Sequence, residues 1–120
     1  MDISQFPVVK ETSTVVIRNP ITQEYMFTVE VYGPDTDHYR RAQVDIVRSG
    51  KGKKPSTNDI LSSGARMLSK ITKSWKDLTL EDKELPCTVE NAYMIYSDFK
   101  YVADQIDAFI SDRLNFLEVA

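Results

Sequence analysis

The order of strand-like and helical patterns along the chain predicts an α+β fold, in which an N-terminal β-hairpin or small antiparallel sheet is followed by about four helices. Two early segments have the β-branched composition and the alternation of strands, and later segments repeat apolar residues at helical spacing. Strands followed by helices are typical of a small sheet with helices on one face. Without an internal repeat or linker, we expect one domain over residues 1–120, with residues 1–12 flexible.

The two predicted strands cover residues 13–18 and 27–32. The first is β-branched at residues 14–17, and the second alternates apolar with polar side chains. An Asn-Pro pair at residues 19–20 initiates the turn between them. Gly33 follows the second strand, where a positive φ at the strand exit would suit glycine.

The first two helices are expected on either side of a basic loop. Asp35 or Thr36 can cap the first helix. Its apolar face consists of Tyr39, Ala42, Ile46 and Val47. Two glycines and a proline predict a mobile basic loop over residues 49–56. The second helix is expected to start at Ser56 or Thr57 and to extend to Trp75.

Gly64 lies on the apolar face predicted for that second helix. Glycine costs about 1 kcal/mol relative to alanine inside a helix, so it predicts a close helix crossing here. The following residues 78–85 have the pattern of a small hairpin or an extended loop.

The last two helices are predicted between Thr88 and the C-terminus. Thr88 is the expected N-cap of the third helix, with Glu90 in its first turn. The expected buried side of this helix consists of Ala92, Tyr93 and Tyr96. We expect Ser97 and Asp98 to break it and to cap the fourth helix. The apolar positions of the fourth helix are Val102, Ile106, Phe109 and Ile110.

Charge is distributed unevenly, although the formal net charge is only −3. Residues 1–39 and 77–120 are mainly acidic, whereas residues 40–76 are strongly basic. Such asymmetry can serve an anionic partner or contact between copies of the same chain. Alternatively, the segments lie beside each other in the fold and neutralise one another.

The few residues able to do chemistry do not form a recognisable catalytic or metal motif. His38 is the single histidine, and we expect it to be a solvated surface residue. Cys87 is the single cysteine, expected to be a buried, inert thiol in a reducing compartment. The carboxylates of Asp104, Asp107 and Asp112 are expected on an exposed face. We therefore predict no enzymatic activity, no cofactor and no metal.

Partner-binding residues are expected in the basic segment and near the C-terminus. The basic candidates are Arg40, Arg41, Lys51, Lys53 and Lys54, and the apolar candidates are Phe109, Phe116 and Leu117. The lysine loop lacks the phosphate-loop spacing and interleaved aromatic residues, so nucleic acid is not an expected partner. No apolar run is long enough for a membrane span, and the N-terminus lacks the pattern of a secretory signal.

Residues 24–117 resemble a family of small proteins from tailed phages. Residues 31–40, VYGPDTDHYR, resemble the family's "GPDS-x-x-Y/R" junction after a strand. The other matching positions are Trp75, Leu85-Pro86, Glu90-Asn91, Gln105, Phe109, Arg113 and Phe116. The chain departs from the family at residues 81–84, where Glu-Asp-Lys-Glu replaces the usual Asp-Gly turn. Order and spacing carry this resemblance, because each matching piece is short.

The family is that of the tail assembly chaperones, which are encoded near the tape-measure protein. The resemblance implies a non-catalytic adaptor that solubilises the tape-measure protein and helps recruit tail-tube subunits. It further implies action in the host cell cytoplasm and absence from the mature virion. Some such chaperones also exist in a longer, frameshifted form.

Two other classes remain open on sequence. A small structural tail protein, such as a tail-completion or tube-associated subunit retained in the virion, would share the size and charge. A nucleic-acid-binding regulator would rest on the basic loop alone, and absence of a salt-sensitive gel shift would dismiss it. A protein lining a filament would associate head to tail. Charge reversal at Lys51, Lys53 and Lys54 is therefore predicted to weaken self-association in light scattering at low salt.

Overall fold

The computed structural model describes residues 1–49 and 57–119, which contain four helices and seven short strands. The strands are β1 (Val8–Val9), β2 (Thr12–Arg18), β3 (Tyr25–Tyr32), β4 (Thr72–Lys76), β5 (Thr79–Leu80), β6 (Lys83–Glu84) and β7 (Leu117–Glu118). The helices are α1 (Asp37–Ser49), α2 (Thr57–Ile71), α3 (Val89–Asp98) and α4 (Lys100–Ser111). Two 3₁₀ turns, Ile3–Gln5 and Arg113–Phe116, lie near the termini. The predicted α+β class is confirmed. None of the helices in these ranges is long and apolar enough to cross a bilayer.

The main sheet is antiparallel, with the strand order β2-β3-β4. The predicted hairpin is confirmed, since Val15 pairs with Val29 and Ile17 with Phe27 across β2 and β3. One face of this sheet is buried, as the alternation predicted. Its buried residues are Val15, Ile17, Phe27, Val29 and Val31. The other face carries polar side chains, as is common in antiparallel sheets that are covered on one side.

The third strand of the sheet corrects the expected end of the second helix. Helix α2 ends at Ile71, and residues 72–76 form β4 instead of its last turn. Trp75 pairs with Val29, and Ser74 pairs with Glu30. The spacing of Trp75 fits a helical repeat, but pairing with β3 overrides it. Thr72 and Ser74 are also weaker helix formers than alanine or leucine.

Both glycine predictions are wrong in their physical reason. Gly64 is exposed, and a Cβ built there meets nothing within 4 Å, so no close helix crossing occurs. Gly33 is buried against the ring of Phe116, and an added Cβ would lie 2.7 Å from its Cδ1. The backbone φ angle of Gly33 does not lie in the positive range. Glycine is therefore required at Gly33 by the close approach of an aromatic ring.

The helix caps agree with the sequence in part. The Thr36 hydroxyl accepts a hydrogen bond from the Tyr39 amide at 3.2 Å, and the Thr88 hydroxyl accepts one from the Asn91 amide. The expected cap at Ser97 and Asp98 is wrong: α3 includes both, and Phe99 separates α3 from α4 without a side-chain cap. Val47 also departs from expectation, because it is 72% exposed and lies outside the buried face of α1.

The predicted hairpin at residues 78–85 is confirmed as the antiparallel pair β5 and β6. Its two central residues, Glu81 and Asp82, have φ values of 52° and 64°. This backbone normally favours glycine or asparagine, so the turn that lacks glycine in sequence carries local strain.

The core lies between the sheet and the helices. Helix α4 packs on β2, and α2 packs on α3 and α1. The buried helical residues are Ala42, Ala65, Leu68, Ile71, Ala92, Ile95, Tyr96, Val102, Ile106 and Ile110. Ala92 and Tyr96 confirm the predicted buried side of α3, with Tyr93 half-buried beside them.

The chain termini meet at a second, two-stranded sheet. Val8 pairs with Glu118 and Val9 with Leu117, and the Lys10 amide donates to the Phe116 carbonyl at 2.7 Å. Flexibility of residues 1–12 stays a prediction. Of the predicted basic loop, only Ser49 lies within the described residues.

Candidate partner-binding site

The predicted basic contacts on α1 are exposed. Arg40 forms an ion pair with Asp37 at 3.5 Å, and both side chains are mostly in solvent. Such a pair contributes little to stability, so Arg40 can exchange it for a partner. Arg41 is also exposed. The other basic candidates, Lys51, Lys53 and Lys54, lie outside the described residues.

In the described part of the chain, the basic segment, residues 40–76, pairs with the first acidic segment but not with the second. Among the side chains that the structure describes, those of residues 1–48 and 63–119, four ion pairs occur. Two of them join residues 40–76 to residues 1–39, and none of the four joins residues 40–76 to residues 77–119. Lys73 contacts Glu30 at 3.9 Å, Arg113 contacts Asp35 at 3.3 Å, and Lys100 contacts Asp104 in its own helix. Direct neutralisation therefore has two ion pairs to support it between residues 1–39 and 40–76, and none among the described side chains between residues 40–76 and 77–119.

The apolar candidates at the C-terminus are placed differently from expectation. Phe116 is 2% exposed and packs edge-to-face on Phe109, with ring centroids 5.6 Å apart. Leu117 is partly exposed in β7, paired with Val9. Phe116 is thus a core residue, which corrects the expectation that a terminal aromatic ring is left for a partner. The physical reason is that β1 and β7 hold the terminus against the sheet.

A cleft between the β2–β3 turn and α4 was not predicted from the sequence. It has a volume of about 340 Å³. Its lining residues are Arg18, Pro20, Gln23, Tyr101, Asp104 and Gln105. The Gln105 amide fixes one wall by accepting from the Arg18 amide at 2.9 Å and donating to the Arg18 carbonyl at 2.8 Å. The resemblance singled out Gln105, whereas spacing alone gave no sign of a cleft.

Exposed aromatic rings adjoin this cleft. Phe99 is 48% exposed and Tyr101 is 36% exposed, and their rings meet edge-to-face with centroids 6.1 Å apart. Ile21, at the tip of the β2–β3 turn, is 90% exposed. Aromatic rings are frequent anchors in protein interfaces, so this side of the molecule offers apolar contact area beside polar groups.

His38 is held by the fold at the start of α1. Its ring stacks on Tyr32 with centroids 3.8 Å apart, and its Nε2 lies 2.9 Å from the Lys70 carbonyl oxygen. Because a carbonyl oxygen only accepts, Nε2 carries the proton in this bond. The contact joins α1 to the end of α2, which is a structural role.

Cys87 is half-buried, and burial raises the pKa of its thiol. A raised pKa lowers the thiolate fraction at neutral pH and hence the reactivity of the sulfur. Across the described ranges, no group of three or more His, Cys, Asp or Glu side chains lies close enough to hold a metal ion. Asp104, Asp107 and Asp112 are exposed, as predicted.

A polar network crosses the solvent-facing side of the sheet. The Thr12 hydroxyl donates to Glu30 at 2.6 Å, and the Ser74 hydroxyl donates at 3.2 Å. The hydrogen bond from Thr12, the nearby Lys73 ammonium and the bond from Ser74 lower the pKa of Glu30, although partial burial opposes them. Glu30 therefore remains ionised and links all three strands.

Comparison with known proteins does not identify the chain. No protein-family model, no curated protein and no solved structure matches it. The resemblance to tail assembly chaperones stays a prediction from the sequence.

Proposed function

We propose that this protein is a non-catalytic phage tail assembly chaperone, which binds and solubilises the tape-measure protein and helps recruit tail-tube subunits. The proposal begins from the resemblance over residues 24–117. The structural observation that supports it concerns the acidic segment 77–119, which forms no ion pair with residues 40–76 among the described side chains, although Arg40 and Lys73 pair with acids of residues 1–39. Charges that are not neutralised internally are available to another molecule.

The cleft beside α4 suits an apolar helical partner. Amphipathic helices bind through side chains at i, i+3 or i+4 and i+7, each of which needs a pocket or an aromatic surface. The cleft, with Phe99 and Tyr101 at its side, provides one pocket and two rings. We therefore place the tape-measure contact on this surface.

The first experiment is affinity purification of the tagged protein from cells producing phage particles, combined with mass spectrometry of purified virions. The chaperone proposal expects the tape-measure protein among the captured proteins and no copy of this chain in virions. Abundance of the chain in virions would instead identify a structural tail component, which is the alternative that the sequence left open.

The aromatic contact is tested within the same purification. Phe99→Ala combined with Tyr101→Ala is expected to reduce capture of the tape-measure protein severalfold, because both anchors are removed. The matched control is Val47→Ala, which removes an exposed apolar side chain on α1. Equal loss in both variants would show that binding does not use the cleft.

Self-association is tested by exchange of charges. One variant carries Asp104→Lys and Asp107→Lys, and a second carries Lys51→Glu, Lys53→Glu and Lys54→Glu. Each should reduce the mass measured by light scattering at low salt. The protein carrying both sets should recover that mass, because opposite charges again face each other. An unchanged mass in all variants would remove the head-to-tail model.

A further inference from the structure

β4 is one of the two edge strands of the main sheet, and its outer edge is open in the described part of the chain. β4 pairs with β3 on one side. In the part of the chain that the structure describes, no hydrogen bond joins the backbone of residues 73–76 to any element other than β3. An exposed strand edge presents amide and carbonyl groups in the spacing that another strand needs.

Three lysines lie in β4 or immediately before it. Lys73 and Lys76 lie in β4, and Lys70 lies in the last turn of α2. In the described ranges Lys73 has one ion partner, Glu30 at 3.9 Å, whereas Lys70 and Lys76 have none. The open edge therefore lies in a region of positive charge that is only partly balanced.

The register places the charged side chains on a defined face. Lys76 pairs with Thr28 and Ser74 pairs with Glu30, so these side chains point to the polar face of the sheet. Lys73 is the extra residue at a bulge, between the pairs Glu30–Ser74 and Val31–Thr72. A fourth strand could extend along residues 74–76, with its own side chains next to Ser74 and Lys76 on this face.

We propose that β4 binds an extended acidic segment of a partner protein by strand addition. Backbone hydrogen bonds to residues 74–76 would supply affinity. A carboxylate opposite Lys76 would make the edge prefer acidic segments to neutral or basic ones, since opposite charges in a cross-strand pair are favourable. The occupant is acidic, because Lys70, Lys73 and Lys76 would repel a basic strand. Two β4 strands from different copies would also bring lysines together.

This proposal goes beyond the chaperone function and does not depend on it. The cleft beside α4 and the β4 edge are separate surfaces, with no lining residue in common. The β4 edge can therefore be tested with synthetic peptides and the purified full-length chain.

The probe is a short fluorescent peptide in which Glu alternates with Thr and Val. Two comparison peptides carry Lys instead of Glu, or Pro at the centre of the acidic sequence. Anisotropy titrations should show binding of the acidic peptide. We expect affinity to weaken about tenfold with Pro, because a ladder donor is lost, and the basic peptide should not bind. Amide exchange should become slower in residues 72–76 on binding.

Charge variants identify the surface. Lys73→Glu combined with Lys76→Glu should abolish binding of the acidic peptide and allow binding of the basic one. Lys73→Gln combined with Lys76→Gln is a second variant, in case a glutamate beside Glu30 prevents folding, and it should weaken binding of the acidic peptide severalfold. The matched control carries Arg41→Glu and Lys100→Glu, which change net charge equally at exposed positions away from β4.

The outcomes distinguish strand addition from simpler explanations. Equal binding of the acidic and Pro-containing peptides would mean charge attraction without strand pairing, and would overturn the proposal. No binding of any peptide would also overturn it. The lysines would then serve to prevent edge-to-edge association. An equal loss of affinity in the control variant would mean that the peptide binds elsewhere, and would overturn the proposal. If a second copy of this chain occupies the edge instead, peptide affinity should fall as the protein self-associates at higher concentration, which would also overturn it.

Discussion

The two edges of the main sheet end in different ways. At β2, the Gln105 side chain bonds both backbone groups of Arg18, and α4 and the C-terminal 3₁₀ turn pack alongside. At β4, the described chain provides no such cover, and lysine side chains flank the strand. A single amide side chain can thus close a strand end, because it reproduces the donor and acceptor of a neighbouring strand. The bonded end of β2 at Arg18 contributes to stability, whereas the β4 edge offers unpaired backbone groups for recognition.

The largest expected effect is on the closed side, at Gly33. Gly33→Ala should lower the free energy of unfolding by about 1–3 kcal/mol, because the new Cβ clashes with the ring of Phe116. Urea denaturation measures this change. Gly64→Ala is the control, and it should raise stability by up to about 1 kcal/mol, since the position is an open helical site. A fully stable Gly33→Ala protein would mean that Phe116 does not hold its place against the sheet.

The next effect tests the cap on β2. Gln105→Ala removes two hydrogen bonds to Arg18 and should cost about 1–2 kcal/mol. The same substitution at Gln43, an exposed position of α1, should leave stability unchanged or slightly higher. Thermal and urea unfolding of the two variants measure this difference in the free energy of unfolding. Equal stabilities would show that the amide contributes nothing to closing the edge.

A third prediction concerns the strained hairpin after β4. Glu81→Asn with Asp82→Gly should raise the free energy of unfolding by about 1 kcal/mol, because both positions have positive φ. Glu84→Gly, in β6, is the comparison and should lower stability. If the double variant is no more stable than the original protein, the left-handed turn carries no strain.

The smallest effect is the pH dependence contributed by Glu30. Its pKa is lowered in the folded protein, first by the Thr12 hydrogen bond, from an ordinary value of 4.5. The stabilising contribution is therefore complete above that value and is lost as the pH falls through the lowered pKa. Between about pH 6 and about pH 3, the original protein should lose more unfolding free energy than Glu30→Gln. If the unfolding free energies of the two proteins fall equally with pH, the hydrogen bonds to Glu30 do not stabilise its ionised form.

Local pattern predicted the hairpin and α3 well. Strands β2 and β3 alternate cleanly, and Thr88 carries a cap signal that the structure uses. The pattern failed at β4, because Trp75 continues the helical spacing of α2 and pairing with β3 is not visible in sequence. The prediction for Phe116 was wrong for a similar reason. Its burial depends on contact with Gly33 and on the pairing of β1 with β7, and these segments are distant from one another in the chain.

The candidate binding surfaces were predicted less completely. Charge segregation was visible in the sequence, whereas the pairing of residues 40–76 with residues 1–39, and not with residues 77–119, is seen only in the described ion pairs. The cleft beside α4 was not visible, because it forms only when Gln105 contacts Arg18 across the fold. Surfaces made by residues far apart in sequence require tertiary structure, whereas periodicity reports only the face of one element.

The central claim, that Gln105 closes the end of β2 at Arg18 whereas the β4 edge is open, is tested most directly by amide hydrogen exchange on the free protein. The account predicts slow exchange at Arg18 and fast exchange at the β4 amides that do not pair with β3. Gln105→Ala should make Arg18 exchange fast and leave β4 unchanged. Slow exchange along the whole of β4, or fast exchange at Arg18 in the original protein, would contradict the account.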